Sequence, residues 1–466
     1  MLVVSAVAFA VDRPDPSFPL RMVKLSGDPD RPETMAHVKY CRELGYNALW
    51  VYSHEAGVWS KARAPHGPIL DPNFVRLARW CRRRGIEPWV SINPVADTRG
   101  RFVFSDPDGE RRIAAFIAML REQAGIRRIV ISFDDQPTEL RVLSDVFRYG
   151  ASAAPAHLDL VARLAASAPK DVLLWLCASA YCDAHLGDGT KPYAKAFLAG
   201  LPALPAAIGI VWTGPLVVSP AISRADITAT RARLGGRELL FYDNFPANDN
   251  EKDDAIALIL GALRGRDPGI RDVVAGYLAC PSLPLGGSRL SLATTADFLR
   301  DPARYDPDAS AAAAVARMAG ANREAAKALE TQQLEWGGFI GGRNYWPGDA
   351  LNPELAASRL HDPAFVDSFT WTADRYPSRM AQLAGVADVP FRDDLLRMMR
   401  RRLAIAKAMP LAIEYLARSR AGRADASEAL ARIDEERHRW DGDGDARRTL
   451  ERFLAAAAIP PAETLR

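Results

Sequence analysis

Residues 127–137 read RRIVISFDDQP. Ile129, Val130, Ile131 and Phe133 make a nearly continuous apolar run rich in β-branched residues, which suits a strand buried on both faces of a parallel sheet. Asp134 and Asp135 follow immediately. Side chains alternate between faces within a strand, but the alternation relaxes where the strand enters its loop, so both carboxylates are able to lean into one cleft. On these eleven residues alone, the alternative that one aspartate merely caps the next helix stands equally well.

A buried parallel strand needs neighbours, and the chain supplies them in both directions. Upstream, residues 20–25 (LRMVKL), 47–52 (NALWVY) and 86–93 (IEPWVSIN) read as strands, alternating with helices over 32–44, 73–84 and 110–124. Gly45 and Gly85 stop the first two helices. Downstream, strands over 171–177 (DVLLWLC), 207–212 (AIGIVW), 237–242 (RELLFY) and 273–278 (VVAGYL) alternate with helices over 156–165, 224–234 and 253–263. Eight such units over roughly 260 residues are what an α/β fold of the (β/α)8 TIM-barrel type requires. An open doubly wound sheet is the alternative, because alternation does not show closure. No glycine-rich nucleotide loop follows any strand; Gly261 and Gly265 mark a helix end.

Beyond about residue 304 the texture changes to alanine-rich helices, over 304–320, 322–336, 391–417 and 426–440. This divides the chain into a catalytic barrel with an N-terminal extension, 1–303, and a helical C-terminal domain, 304–466. Core packing and turns account best for the glycines and aromatics of WGGFIGGRNYW at 336–346. The competing expectation is that this loop enters the substrate channel of its own subunit or of a partner in a homodimer. DGDGD at 441–445 lacks the spacing and terminal glutamate of a calcium loop and reads as an interhelical turn.

Composition narrows the function. Sixty basic residues against 57 acidic leave a net charge of +3, too little to imply a nucleic-acid surface. The arginine runs at 82–84 and 400–402 read as solvated helix faces. Five cysteines without a CxxC pair favour a reducing compartment. The apolar start MLVVSAVAFAV has no basic n-region and no convincing cleavage end, so it reads as a strand and the protein as cytoplasmic. No other stretch approaches the ~20 apolar residues of a membrane span.

A barrel places its chemistry at the C-terminal ends of its strands. There the sequence sets Tyr52, His54 and Glu55; Asn93 and Asp97; Asp134 and Asp135; Ser179, Tyr181 and Cys182; Trp212, Thr213, Gly214 and Pro215; and Tyr242, Asp243, Asn244, Asn248 and Asp249. Carboxylates and amides bind hydroxyls while aromatic rings cover C–H faces, so this rim suits a polyhydroxylated ligand. No cofactor or metal is called for, since the seven histidines form no ligand cluster. A triad of Asp134, Asp135 and His54 is the minor metal-binding alternative.

FDD at 133–135, CASAYC at 177–182, VWTGPLVVS at 211–219 and YDNFPAND at 242–249 resemble, in order, motifs of glycoside hydrolase family 84, which contains O-GlcNAcases and hyaluronidase-type β-N-acetylglucosaminidases. The resemblance runs from about residue 20 to 281, and YDPDAS at 305–310 resembles the segment that follows the barrel. It implies a (β/α)8 barrel with a helical C-terminal region. It also implies a retaining exo-β-N-acetylhexosaminidase whose substrate supplies its own acetamide oxygen as nucleophile, giving an oxazoline intermediate. By the same resemblance Asp134 polarises the acetamido N–H, and Asp135 protonates the leaving oxygen and then deprotonates water. Tyr181 and Asn244 act at the reacting centre, and Asp249 binds outer sugar hydroxyls. Two like charges in one pocket tend to keep a proton on one carboxyl, as an acid near neutral pH requires.

The departures from the family pattern bear on the sugar. The glycine-rich EGFYG stretch is absent, with only Gly27 in its place; a lysine after strand two appears as His54, an asparagine after strand eight as Cys280, and a tryptophan walling the acetamide pocket as Tyr242. Trp212 completes the expected sugar-binding set. The substrate is therefore a glycan or small molecule with a terminal β-linked GlcNAc or GalNAc. A β-N-acetylgalactosaminidase and a non-catalytic glycan-binding protein with a decayed site are the alternatives.

Overall fold

The computed structural model describes residues 16–25, 29, 31–53, 70–97, 102–247, 258–336, 353–423 and 425–460. Eight parallel strands close on themselves: β1 (Arg21–Leu25), β2 (Ala48–Tyr52), β3 (Glu87–Ile92), β4 (Arg128–Ser132), β5 (Leu173–Cys177), β6 (Gly209–Trp212), β7 (Leu239–Asp243) and β8 (Gly276–Ala279). Pairing of Met22 with Leu278 completes the ring between β1 and β8. The open-sheet alternative is thereby excluded.

Nearly every strand residue is buried because both faces are covered. Val23, Val90, Ile131, Ile210 and Phe241 point outward against the helices, while Met22, Trp50, Trp89, Val130, Trp175, Val211, Leu240 and Leu278 fill the interior. Three interior tryptophans make a packed core of the barrel, not a pore. Gly209 is required here: a Cβ at that position would run into the Trp175 ring.

The helices Pro32–Glu43, Pro72–Arg82, Pro107–Met119, Ala154–Ser167 and Arg224–Arg233 form the outer layer. Asp71 caps the second by accepting from the Asn73 N–H, and Ser223 with Asp226 forms a capping box on the last. Of the expected helix over 253–263, residues 253–257 lie outside the described residues and 258–263 is irregular, not helical. Leu258, Ile259 and Leu260 are fully buried, and the segment bonds outward instead. Leu260 N donates to Trp336 O (2.9 Å), Leu263 N donates to Thr294 Oγ1 (3.2 Å) and Ile259 O accepts from Ser291 Oγ. Tertiary partners satisfy the backbone that helical periodicity seemed to claim.

Helices Arg289–Arg300, Pro307–Ala319, Arg323–Glu335, Val389–Arg420, Ala426–His438 and Gly444–Ala456 follow β8, so the C-terminal region is helical. Asp443 caps the last of these, accepting from Ala446 N at 3.0 Å in the turn read from DGDGD. Barrel and helices share one apolar core. Arg289 grips Asp388 at 2.8 and 2.9 Å, and Gly287 N donates to Asp394 at 3.1 Å. Arg401 and Arg402 correct the solvated-face expectation, since both are buried. Arg401 donates to Thr449 Oγ1 (2.8 Å), and the Arg402 guanidinium lies 4.8 Å from the Phe369 ring centroid. Their long side chains pack between helices, which charge alone does not reveal. Trp336 is likewise buried, edge-on to Tyr376, and so belongs to this core and not to a channel. The rest of the 336–346 loop and the expected strand at 1–11 lie outside the described residues.

Candidate active site

The β4–β5 ladder runs one residue past the strand, with Phe133 N donating to Cys177 O at 2.8 Å, before the chain turns. Gln136 N closes the turn on Phe133 O at 3.2 Å, and Asp135 takes a left-handed conformation, φ 56°. This breaks strand alternation, so two consecutive carboxylates serve one mouth while Phe133 stays in the outer core. The capping alternative fails. The next helix begins at Leu143, behind Val142, far along the chain from either aspartate.

The two carboxylates are held differently. Asp134 is half-buried and accepts at Oδ2 from the Tyr52 hydroxyl (2.8 Å) and at Oδ1 from the Ser132 hydroxyl, with Asn93 Nδ2 at 3.5 Å. Asp135 is exposed and accepts at Oδ1 from the Tyr181 hydroxyl (2.7 Å). Its other oxygen has no hydrogen-bond partner among the described residues. Burial first, then the bond to Asp135 and the nearby negative charges, push the Tyr181 phenol well above its usual range. Tyr181 therefore remains a donor at any working pH.

Tyr181 is fixed from below by Thr213 N, which donates to its carbonyl at 2.9 Å. Across the mouth, the Tyr242 hydroxyl donates to Cys280 Sγ (3.4 Å), and the Tyr242 ring stands edge-on to Trp50, centroids 5.8 Å apart. Asn244 Nδ2 donates to Val217 O at 2.6 Å, which orients its amide oxygen. Behind them Asp243 points outward into a buried pair with Arg266, at 2.7 and 2.8 Å, and accepts from the Tyr277 hydroxyl.

The structure thus brings Asp134, Asp135, Tyr181, Tyr242, Asn244 and Cys280 to one end of the barrel. Trp212 does not join them: it is fully buried, and its ring lies in the layer between sheet and helices, Val211 being the interior residue of β6. Gly27, His54 and Asp249 lie outside the described residues. Sequence reading placed Tyr52 and Asn93 on the rim without seeing that they hold Asp134, and it missed Ser132 and Lys24. Lys24 is buried inside the mouth with its ammonium 5.1 Å from the Tyr52 ring centroid. The signal for both was phase: Ser132 lies two residues before Asp134, and Lys24 two after the interior Met22. Among the described residues no three His, Cys, Asp or Glu side chains converge as metal ligands.

A (β/α)8 barrel with neighbouring carboxylates at its strand ends has the architecture of a glycoside hydrolase. The sequence pattern of the NAGidase family, beta-N-acetylglucosaminidase, matches residues 72–332, more than half of the chain. The chain belongs to that family, glycoside hydrolase family 84, and is a glycoside hydrolase of beta-N-acetylglucosaminidase type. Its fold is similar to that of a mutant of Thermobaculum terrenum O-GlcNAc hydrolase, with TM-score 0.64 and 19% identity over 96% of each chain. It is also similar to CpGH84B, with TM-score 0.62 and 17% identity over 93% of this chain and 77% of that one. The family match begins beyond β2, in keeping with the departures at Gly27 and His54.

Proposed function

We propose that this enzyme is a retaining exo-β-N-acetylhexosaminidase that uses the substrate's acetamide oxygen as nucleophile. The observation that carries the reading is the unequal holding of the two aspartates. Asp134, held by Tyr52 and Ser132, is a fixed acceptor: it takes the acetamido N–H and strengthens the carbonyl oxygen as it attacks C1. The C1–O bond to the aglycone breaks as the oxazoline ring closes. Asp135, exposed and with one oxygen uncommitted, gives its proton to the departing oxygen. It then takes a proton from the water that reopens the ring at C1. Configuration is retained because C1 is inverted twice.

Tyr181 keeps Asp135 in place and reaches the acetamido group. Asn244 contacts the reacting centre, and Tyr242 walls the acetamide pocket. Gly27, His54, Cys280 and Asp249 bind sugar hydroxyls on the resemblance alone. The family's description and the O-GlcNAc hydrolase neighbour favour GlcNAc over GalNAc. We place the catalytic barrel at 1–303 and the helical domain at 304–466. Five buried cysteines, none in a disulfide, support a reducing, cytoplasmic setting. No helix among the described residues is long and apolar enough to cross a membrane.

Aryl β-glycosides of graded phenol pKa test the assignment. Asp135→Ala is expected to lose about 10²–10⁴-fold in kcat/KM with poor leaving groups and far less with a very acidic phenol. Asp134→Ala weakens ring closure itself and stays damaging across the series. A uniform loss for Asp135→Ala removes it from the acid role, and efficient cleavage of a glycoside bearing a 2-hydroxyl ends substrate assistance.

A further inference from the structure

Behind the Phe133–Asp135 turn lies a buried polar chain that the mechanism above does not use. Ser179, on the loop after β5, donates from Oγ to Phe133 O at 2.9 Å. Its backbone N–H donates to the Tyr193 hydroxyl at 3.1 Å, and that hydroxyl lies 3.0 Å from His157 Nδ1. The imidazole in turn stacks on the Phe133 ring, centroids 3.8 Å apart and planes 3° from parallel. The circuit closes on the residue where it began. It joins the loop carrying Tyr181, two residues past Ser179, to the turn carrying both aspartates. Helices Ala154–Ser167 and Pro192–Gly200 supply its rigid back.

The proton order follows from the groups. An amide N–H only donates, so the arrangement that uses every proton has Tyr193 O–H donating to an unprotonated Nδ1. Burial holds His157 neutral, lowering its pKa to about 3. The chain keeps one pattern throughout any practical pH range.

We infer that Ser179, Tyr193 and His157 are positioning residues for the acid, setting the distance between Tyr181 and Asp135 by fixing Phe133 and the β5 loop to each other. All three are buried behind the turn. Ser179 Oγ is one bond from the turn, and a shift of the Phe133 carbonyl moves the left-handed Asp135 directly. Misplacement on the ångström scale is enough to cost catalysis about 10²-fold. The inference rests on the acid role proposed for Asp135.

The test is a double-mutant cycle on aryl β-N-acetylglucosaminides. Ser179→Ala and Tyr193→Phe each remove one link, by independent routes, so a folding failure of one leaves the other. Each is expected to lower kcat about 10-fold with a poor leaving group, to leave KM within about twofold, and to lose little with an acidic phenol. Ser179→Thr, which keeps the hydroxyl, is expected to restore most of the rate. In an Asp135→Ala background the further loss from either change should disappear, since a misplaced acid is no worse than an absent one. Undiminished losses in that background overturn the inference while leaving the role of Asp135 intact, as does a raised KM with kcat unchanged. An Asp135→Ala enzyme of full activity overturns the role itself and the inference with it.

Discussion

Asp135 has the backbone of a residue that glycine or asparagine would occupy by preference, φ 56°, and that conformation separates two consequences of replacing it. Asp135→Asn keeps a side chain tolerant of the left-handed region and is expected to unfold in urea within about 0.5 kcal/mol of the parent while losing acid catalysis. Asp135→Val, β-branched in the same conformation, is expected to lose about 1–2 kcal/mol of stability besides. Equal stability for the two would remove the strain argument. Tyr52→Phe deletes one hydrogen bond to Asp134 without disturbing the turn, and a bond to a charged acceptor is worth about 1.5–3 kcal/mol. A 10-fold or larger fall in kcat/KM, persisting with acidic phenols, is the expected reading. The adjacent aspartates were legible in the sequence because a pair of carboxylates closing an apolar strand is rare enough to notice. Trp212 was misassigned for a physical reason: strands buried on both faces are apolar at every position, so they carry no alternation from which to read which residue points inward.

At the level of elements, β7 depends on what happens behind it. Asp243 and Arg266 are both almost wholly buried and paired twice, and Tyr277 adds a third donor to the carboxylate. Burial works to lower the Arg266 pKa, but the Asp243 charge and its hydrogen bonds outweigh it and hold the guanidinium charged above its usual range. Arg266→Met leaves Asp243 buried without its cation and is expected to cost about 3–5 kcal/mol in chemical unfolding. The double change Asp243→Asn with Arg266→Met should recover much of that loss, because no lone charge remains. If the single and double variants unfold alike, the pair is not what holds the end of β7. The strands were legible because eight apolar runs recur between helical segments. The irregular 258–263, the described part of the helix expected over 253–263, shows the limit of that reading: Leu258, Ile259 and Leu260 are apolar because they are buried beneath Trp336 and the helix Arg289–Arg300, not because one helical face is. That helix was itself missed; its Ser291, Thr294 and Thr295 are buried with its apolar residues, so a segment that reads as mixed is core nearly all round.

Across the whole molecule, two buried histidines tie stability to pH. His37, on the helix Pro32–Glu43, is buried, with Cys41 Sγ 3.5 Å from Nε2, and burial first, then the Arg289 charge, lowers its pKa to about 3. His157 is lowered to about 3 by burial alone. In the unfolded chain both titrate near 6.5. Between about pH 6.5 and 3 the unfolded state therefore binds protons that the native state refuses, and the free energy of unfolding falls as pH falls. Each histidine contributes at most about 1.4 kcal/mol per pH unit within that window and nothing above it. The measurement is urea unfolding at steps from pH 7.5 to 4.5 for the parent and for a His37→Gln, His157→Phe variant. Removing both groups should flatten the dependence below pH 6.5 by about 1–3 kcal/mol per unit, whatever the variant loses at pH 7.5 through altered packing. Carboxylates protonating at lower pH affect both proteins alike, so the comparison isolates the histidines. Parallel curves through the whole range would mean that the native state admits a proton at these sites, and that neither imidazole is as firmly enclosed as its surroundings imply.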